Sequence, residues 1–207
     1  MTQREELRKK LIRPFVEAAA FDGWTRSMML SEAEAQGISA AAVRVAFPNG
    51  GAEAFMFWHE HDDAMLLQEA PKLLADEAST TKRVKILTQR RLEMIAEHGE
   101  AHRRGAALLS VPANISNMAK LFANMSDNIW HAAGDQATDM SYYSKRALLG
   151  YILKTTSMRI ATDGTADWPA FMDRRFGEVM HLGKWASKLP SFGAPMDAFF
   201  KKMAARR

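Results

Sequence analysis

The sequence predicts an all-α protein. Apolar residues recur at steps of three and four along most of the chain, and no stretch of useful length alternates apolar and polar residues with a period of two. No internal repeat or low-complexity segment interrupts the pattern. With 207 residues, 47% of them apolar, the chain suits a domain with a sizeable core plus at most a small additional unit.

Residues 4–22 carry Leu7, Leu11, Phe15, Ala18 and Phe21 at helical spacing and end at Gly23, while Pro14 predicts a kink or a second start. A helix over 25–36, a turn at Gly37, Ile38 and Ser39, and a short helix over 40–47 follow. From Ala52 the pattern is dense and aromatic, with Phe55, Phe57, Trp58, Met65, Leu66 and Leu67, and Pro71 opens a further turn. Residues 82–97 are amphipathic through Val84, Leu87, Arg91 and Met94, and a short helix spans 101–111. Pro112 opens the next helix, whose Met118, Leu121, Phe122, Met125 and Ile129 share one face. Gly134 should stop it, and Thr138 or Asp139 should cap its successor. That successor carries two apolar stripes, Met140, Tyr143, Ala147, Tyr151, Thr155 and Tyr142, Arg146, Leu149, Leu153. Such a helix is enclosed on most sides or meets something else. A turn-rich loop after Arg159 precedes a last body helix over 168–180.

The stretch AGDQATD (133–139), followed by YYSKRALL (142–149), with Trp130 before and WPAFMDRRF (168–176) after, resembles the coenzyme Q biosynthesis protein nine family. The resemblance runs from about Leu109 to Met180. Two positions depart from it: the family more often has Ser where Ala137 stands and Trp where Tyr142 stands, so that aromatic surface is smaller here and carries a hydroxyl. The resemblance implies a TetR-like helical bundle acting as a lipid-binding accessory of ubiquinone synthesis, with a C-terminal amphipathic helix on membranes. It also implies contact with the di-iron hydroxylase of that pathway through Ile129, Tyr142, Tyr143 and Arg146, to which Asp127 and Asp139 are added as the acids of the same stretch. Asp135 and Asp139 more commonly cap helices and pair with Lys145, Arg146, Arg174 or Arg175.

The helix, turn, helix arrangement ending in FPNGG also resembles the N-terminal module of TetR-type repressors. Between Thr25 and Pro48, however, Arg26 and Arg44 are balanced by Glu32 and Glu34, and phosphate neutralisation is the main source of DNA affinity. DNA binding is therefore disfavoured, and a ligand-responsive transcription regulator is kept only as the alternative function. The net charge of +4 is concentrated at one end: from Lys184 onward six basic residues face one acid, so the preceding residues are close to neutral.

That end is amphipathic. Phe192, Met196, Phe199, Phe200 and Met203 form one apolar face, Lys201 and Lys202 lie beside it, and Pro190, Gly193 and Pro195 separate it from the body. Apolar groups entering the acyl boundary beside cations that meet anionic headgroups suit an interfacial membrane helix. The division expected is a helix-turn-helix-like module over 1–50, a lipid-binding domain over 51–182, and a linker with the membrane helix over 183–207.

Enzymatic chemistry finds little support. Cysteine is absent, which excludes thiolate catalysis and cysteine-bound zinc. In His59-Glu60-His61-Asp62-Asp63 only His59 and Asp63 share a helix face, one ligand fewer than a site needs. A di-iron bundle needs two Glu-x-x-His pairs, and Glu178 with His181 is one. There is no nucleophile elbow or phosphate-binding glycine loop. No metal or cofactor is expected beyond a bound lipid or quinone. Fourteen methionines and eleven phenylalanines suit adaptable walls for an isoprenoid or phospholipid, with Met65, Met94, Met118, Phe122, Met125, Tyr151 and Met158 as candidates and Trp130 beside them. Helical periodicity from about residue 4, with no signal peptide or spanning segment, suggests a bacterial or mature protein. It is expected to be cytoplasmic, peripheral on the inner membrane, and homodimeric.

Overall fold

Short polar side chains set where the first helices begin. Thr2, Thr25 and Ser39 each accept a hydrogen bond from the backbone N–H three residues on, at 3.3, 3.1 and 3.2 Å, satisfying donors that the first helical turn leaves unpaired. The computed structural model describes residues 2–136, 140–163 and 167–186. Its helices are α1 (Gln3–Asp22), α2 (Arg26–Ala35), α3 (Ala40–Ala46), α4 (Gly51–Leu73), α5 (Thr80–Glu97), α6 (Gly99–Leu109), α7 (Ile115–Ala132), α8 (Met140–Asp163) and α9 (Trp168–Ala186), with a 3₁₀ turn at Pro112–Asn114. No strand occurs among the described residues, so the all-α fold is established.

The elements match the sequence pattern with informative differences. The chain stays helical through Pro14, because Leu11, Ile12, Phe15, Val16 and Ala19 are all buried and packing outweighs the missing backbone bond. Pro71 likewise lies within the last turn of α4 and opens nothing new. Pro112 starts a 3₁₀ turn before α7, and α8 runs four residues past Arg159.

The N-terminal helices are tied together by charge. Arg8 Nε donates to the Ala46 carbonyl at 2.7 Å, at the end of α3, and Arg8 and Arg4 both pair with Glu53 in the first turn of α4. Glu53 also accepts from the Asn49 N–H at 2.9 Å. These bonds fix the α2–α3 pair against α1 and α4. On that pair the two cations are Arg26, which donates to the Pro48 carbonyl at 2.8 Å, and Arg44.

An aromatic knot then joins α4 to α6. Trp24 stacks on Trp58 at 5.8 Å, meets Phe55 edge-on at 5.5 Å, and donates its indole N–H to the Ala101 carbonyl at 2.9 Å. Only glycine allows this approach at two places. A Cβ on Gly51 would lie 1.7 Å from the Trp24 carbonyl oxygen, and one on Gly105 would lie 2.0 Å from the Phe55 ring.

The double stripe of α8 has a physical account. Its Leu149, Ile152, Leu153, Thr156 and Ile160 are buried, and α5, α6, α7 and α9 all pack against the helix. The other stripe stays outside, with Tyr143, Ala147, Tyr151 and Met158 exposed. Asp139 and the amphipathic face Phe192, Met196, Phe199, Phe200, Lys201, Lys202 and Met203 lie outside the described residues. No described helix is long and apolar enough to cross a membrane.

Candidate functional site on α7 and α8, and the buried cluster behind it

The helix end at Gly134 sets the first half of the site. Gly134 takes φ +87°, and the Asp135 N–H returns to the Trp130 carbonyl at 3.0 Å, which turns the chain back and places Asp135 inside the α7–α8 angle. There Asp135 accepts from Lys145 Nζ at 2.8 Å and from Arg146 Nη1 at 3.2 Å. Arg146 also reaches across to α7 with Nε, which donates to Asp127 Oδ1 at 2.5 Å, about two turns before Asp135, and Tyr142 donates its hydroxyl to the same oxygen at 2.9 Å. The guanidinium lies over the Tyr142 ring at 3.4 Å. Trp130 donates to the Lys145 carbonyl at 3.2 Å, and Ser126 to the Arg146 carbonyl at 2.8 Å, locking the two helices in register.

Electrostatics follow from that geometry. Burial pushes Asp127 and Asp135 upward, but the bonds from Arg146, Tyr142 and Lys145 outweigh it and hold both carboxyls below the usual range. Both acids are therefore ionised at neutral pH. The arrangement presents a rigid half-exposed surface: Tyr143 meets the Tyr142 ring edge-on at 5.1 Å, and Tyr151 accepts from Arg175 of α9 at 3.2 Å.

Of the residues grouped as partner contacts, Asp127, Tyr142, Tyr143 and Arg146 come together here. Ile129 is a correction. It is 0% exposed, facing the core that α7 shares with its neighbours, and stands behind the surface instead of on it. Asp135, read as structural, does pair with Lys145 and Arg146.

The residues grouped as lipid contacts divide. Met65 and Met94 line one cavity of about 270 Å³ between α1, α4 and α5, with Ile12, Val16, Trp58 and Asp62. Phe122 and Met125 are core residues of α7, and Met118 and Trp130 are partly buried against that core. Tyr151 and Met158 stand on the outer face of α8.

His59 and Asp63, weighed as metal ligands, are both taken by Arg91. Its Nε donates to Asp63 Oδ1 at 2.6 Å, and its Nη2 donates to His59 Nδ1 at 2.9 Å and to the His59 carbonyl at 3.1 Å. Because Nδ1 of His59 accepts, its Nε2 carries the proton and donates to His102 Nδ1 at 3.3 Å, which leaves His102 Nε2–H with no partner. Burial, then the Arg91 charge, lowers both histidines, His102 to about 3, so both are neutral. On the far side Asn128 of α7 donates to Asp63 Oδ2 at 3.1 Å. Among the described residues no three His, Cys, Asp or Glu side chains converge as a metal would require.

Sequence reasoning missed this cluster. The signal was present: Arg91 sits on the apolar stripe of α5 with Val84, Leu87 and Met94, a position where an arginine must find buried partners. Its partners are 28 and 32 residues away, and His102 lies 43 from His59, so local patterns did not name them.

Comparison with known proteins converges on the same region. The COQ9 family model matches residues 115–183, which run from the start of α7 into α9. Ubiquinone biosynthesis protein COQ9, mitochondrial, of Rattus norvegicus is 29% identical over 199 residues, covering 91% of this chain and 64% of that protein. The Homo sapiens protein of the same name is also 29% identical, covering 91% and 62%. That of Drosophila melanogaster is 24% identical over 185 residues, covering 86% and 56%. The chain thus spans less than two thirds of the length of these relatives. Trp130, Asp135, Lys145 and Arg146 all fall within the matched segment, and it is to the COQ9 proteins that the chain carrying them is similar.

Proposed function

We propose that this protein serves ubiquinone biosynthesis without chemistry of its own, binding an isoprenoid or quinone lipid and presenting it at a membrane to a hydroxylase of the pathway. The observation that carries the proposal is the similarity, over most of this chain, to proteins named for ubiquinone biosynthesis. The site geometry supports it: Asp127, Tyr142 and Arg146 form a preset polar surface flanked by exposed Tyr143, Tyr151 and Met158, and aromatic residues with arginine are enriched where proteins recognise partners. In this account the TetR-like architecture is retained as scaffold, and the working unit is a homodimer.

The mechanism is extraction. Moving a polyprenyl tail through water costs about 0.8 kcal/mol per methylene, whereas transfer from bilayer to apolar cavity costs little. The C-terminal segment would hold the protein at the bilayer while this happens. Loss of the protein should lower cellular ubiquinone and raise the unhydroxylated precursor, both restored by the full chain. Vesicles of anionic phospholipid should sediment the full chain but not one lacking residues 192–207. Unchanged ubiquinone would overturn the pathway role, and unchanged sedimentation the membrane role.

A further inference from the structure

The cavity between α1, α4 and α5 has a polar floor that the proposed function does not use. Ile12, Val16, Trp58 and Met94 form its apolar inner wall, and Met65, 40% exposed, stands at the rim. At the floor is Asp62, 8% exposed. Its nearest partner is Arg91 Nη1, 3.5 Å from Oδ2, and that nitrogen has no hydrogen bond although Arg91 is completely buried. Two successive carboxyls of α4 therefore share one guanidinium. Asp63 holds it in a short bond and turns to α7, and Asp62, without a hydrogen bond to it, turns to the cavity.

The other charges around the cavity are engaged. Arg13 of α1 pairs with Glu17 at 3.5 Å, and Arg90 of α5 pairs with Glu69, Glu93 and Glu97. His61 on α4 and His98 after α5 complete the lining. An ammonium entering here would meet Arg13 and Arg90 in the lining, with Glu97 already paired to Arg90 and Arg91 next to Asp62, and a carboxylate would find both lining arginines paired. A neutral hydrogen-bond acceptor meets neither difficulty.

We propose that this cavity binds the carbonyl end of an apolar ligand, with the Asp62 carboxyl donating its proton to the carbonyl oxygen while Ile12, Val16, Trp58, Met65 and Met94 enclose the adjoining hydrocarbon. The inference rests on the lipid-binding reading only in taking the ligand's body to be apolar. Desolvation raises Asp62 to about 7, and Asp63 and Glu97 add to the rise while Arg91 and Arg90 oppose it. The acid form that donates is thus well populated near neutrality. Arg91, behind Asp62, keeps the carboxyl oriented by charge without competing for its hydrogen.

Titration calorimetry of the full chain with 2-octanone, octanoate and octylamine tests this. The ketone should bind best, and its affinity should fall roughly thirtyfold from about pH 6 to about pH 8.5 as Asp62 ionises. Asp62→Asn keeps a donor and should retain ketone binding while losing the pH dependence. Val16→Trp, which fills the cavity, should abolish binding with the helical circular dichroism unchanged. Tighter binding of octylamine or octanoate, an unchanged pH profile in Asp62→Asn, or full binding in Val16→Trp would each overturn the assignment. If those results came with lipid still co-purifying on the protein, this cavity would lose its role while the lipid-binding reading stood.

Discussion

Arg91 and Arg146 each gather two carboxyl groups and a ring, in different surroundings. Arg91 is 0% exposed, and its carboxylates are no more than 11% exposed, whereas Arg146 meets Asp127, whose side chain is 49% exposed. The buried set ties α4, α5 and α6 through bonds shielded from water and reaches α7 through the part-buried Asn128–Asp63 bond, so each member depends on the others. The outer set holds α7 to α8 while leaving Tyr143 in solvent. Full burial makes Arg91 a determinant of packing, and the half-exposed Asp127 makes the Arg146 set, otherwise largely covered, a determinant of surface shape.

If that contrast is right, Arg91→Met should cost about 3–5 kcal/mol in urea unfolding, because Asp63 is left buried without its counter-charge. Arg146→Met should cost less, about 1 kcal/mol, since solvent screens the half-exposed Asp127 and Lys145 still pairs with the covered Asp135. Equal costs would erase the distinction.

The next largest effect is in pH. Below about 6.5 the unfolded chain takes up two protons that buried His59 and His102 refuse, while folded Asp62 retains one that the unfolded chain releases. The net of one proton should reduce stability by about 1 kcal/mol per pH unit on descending toward pH 4. On the alkaline side the sign reverses: the contribution of Asp62, whose folded value is raised, is lost as pH rises through about 7. Asp62→Asn should remove the alkaline loss and steepen the acid one, as followed by thermal melts across pH. The smallest expected stability effect is at the surface. If the proposed docking to a hydroxylase uses this surface, Tyr143→Ala should weaken capture of that enzyme in a pull-down while changing stability by less than about 0.5 kcal/mol, because the ring is 44% exposed.

What the sequence made legible was local. Gly134 ends α7 as its backbone freedom predicts, Thr25 and Ser39 sit at helix starts, and Asp135 meets Lys145 and Arg146 ten and eleven residues on. The two stripes of α8 were visible, but which was core depended on α5, α6, α7 and α9 closing over Leu149 and Leu153. Ile129 shows the limit from the other side: it shares a helix with Asp127, and only tertiary packing reveals that the two point apart. The Arg91 cluster and the cavity at Asp62 join residues from helices distant in sequence, so a pattern of three and four could not assemble them.

The proposed function requires this helical bundle to carry a polyprenyl lipid. Native mass spectrometry of the full chain, gently released from its host's membranes, tests it most directly. A bound population should appear whose added mass matches an isoprenoid or quinone lipid and disappears on denaturation; a protein that flies only at its bare polypeptide mass, under conditions that preserve a control lipid carrier, would rule lipid carriage out.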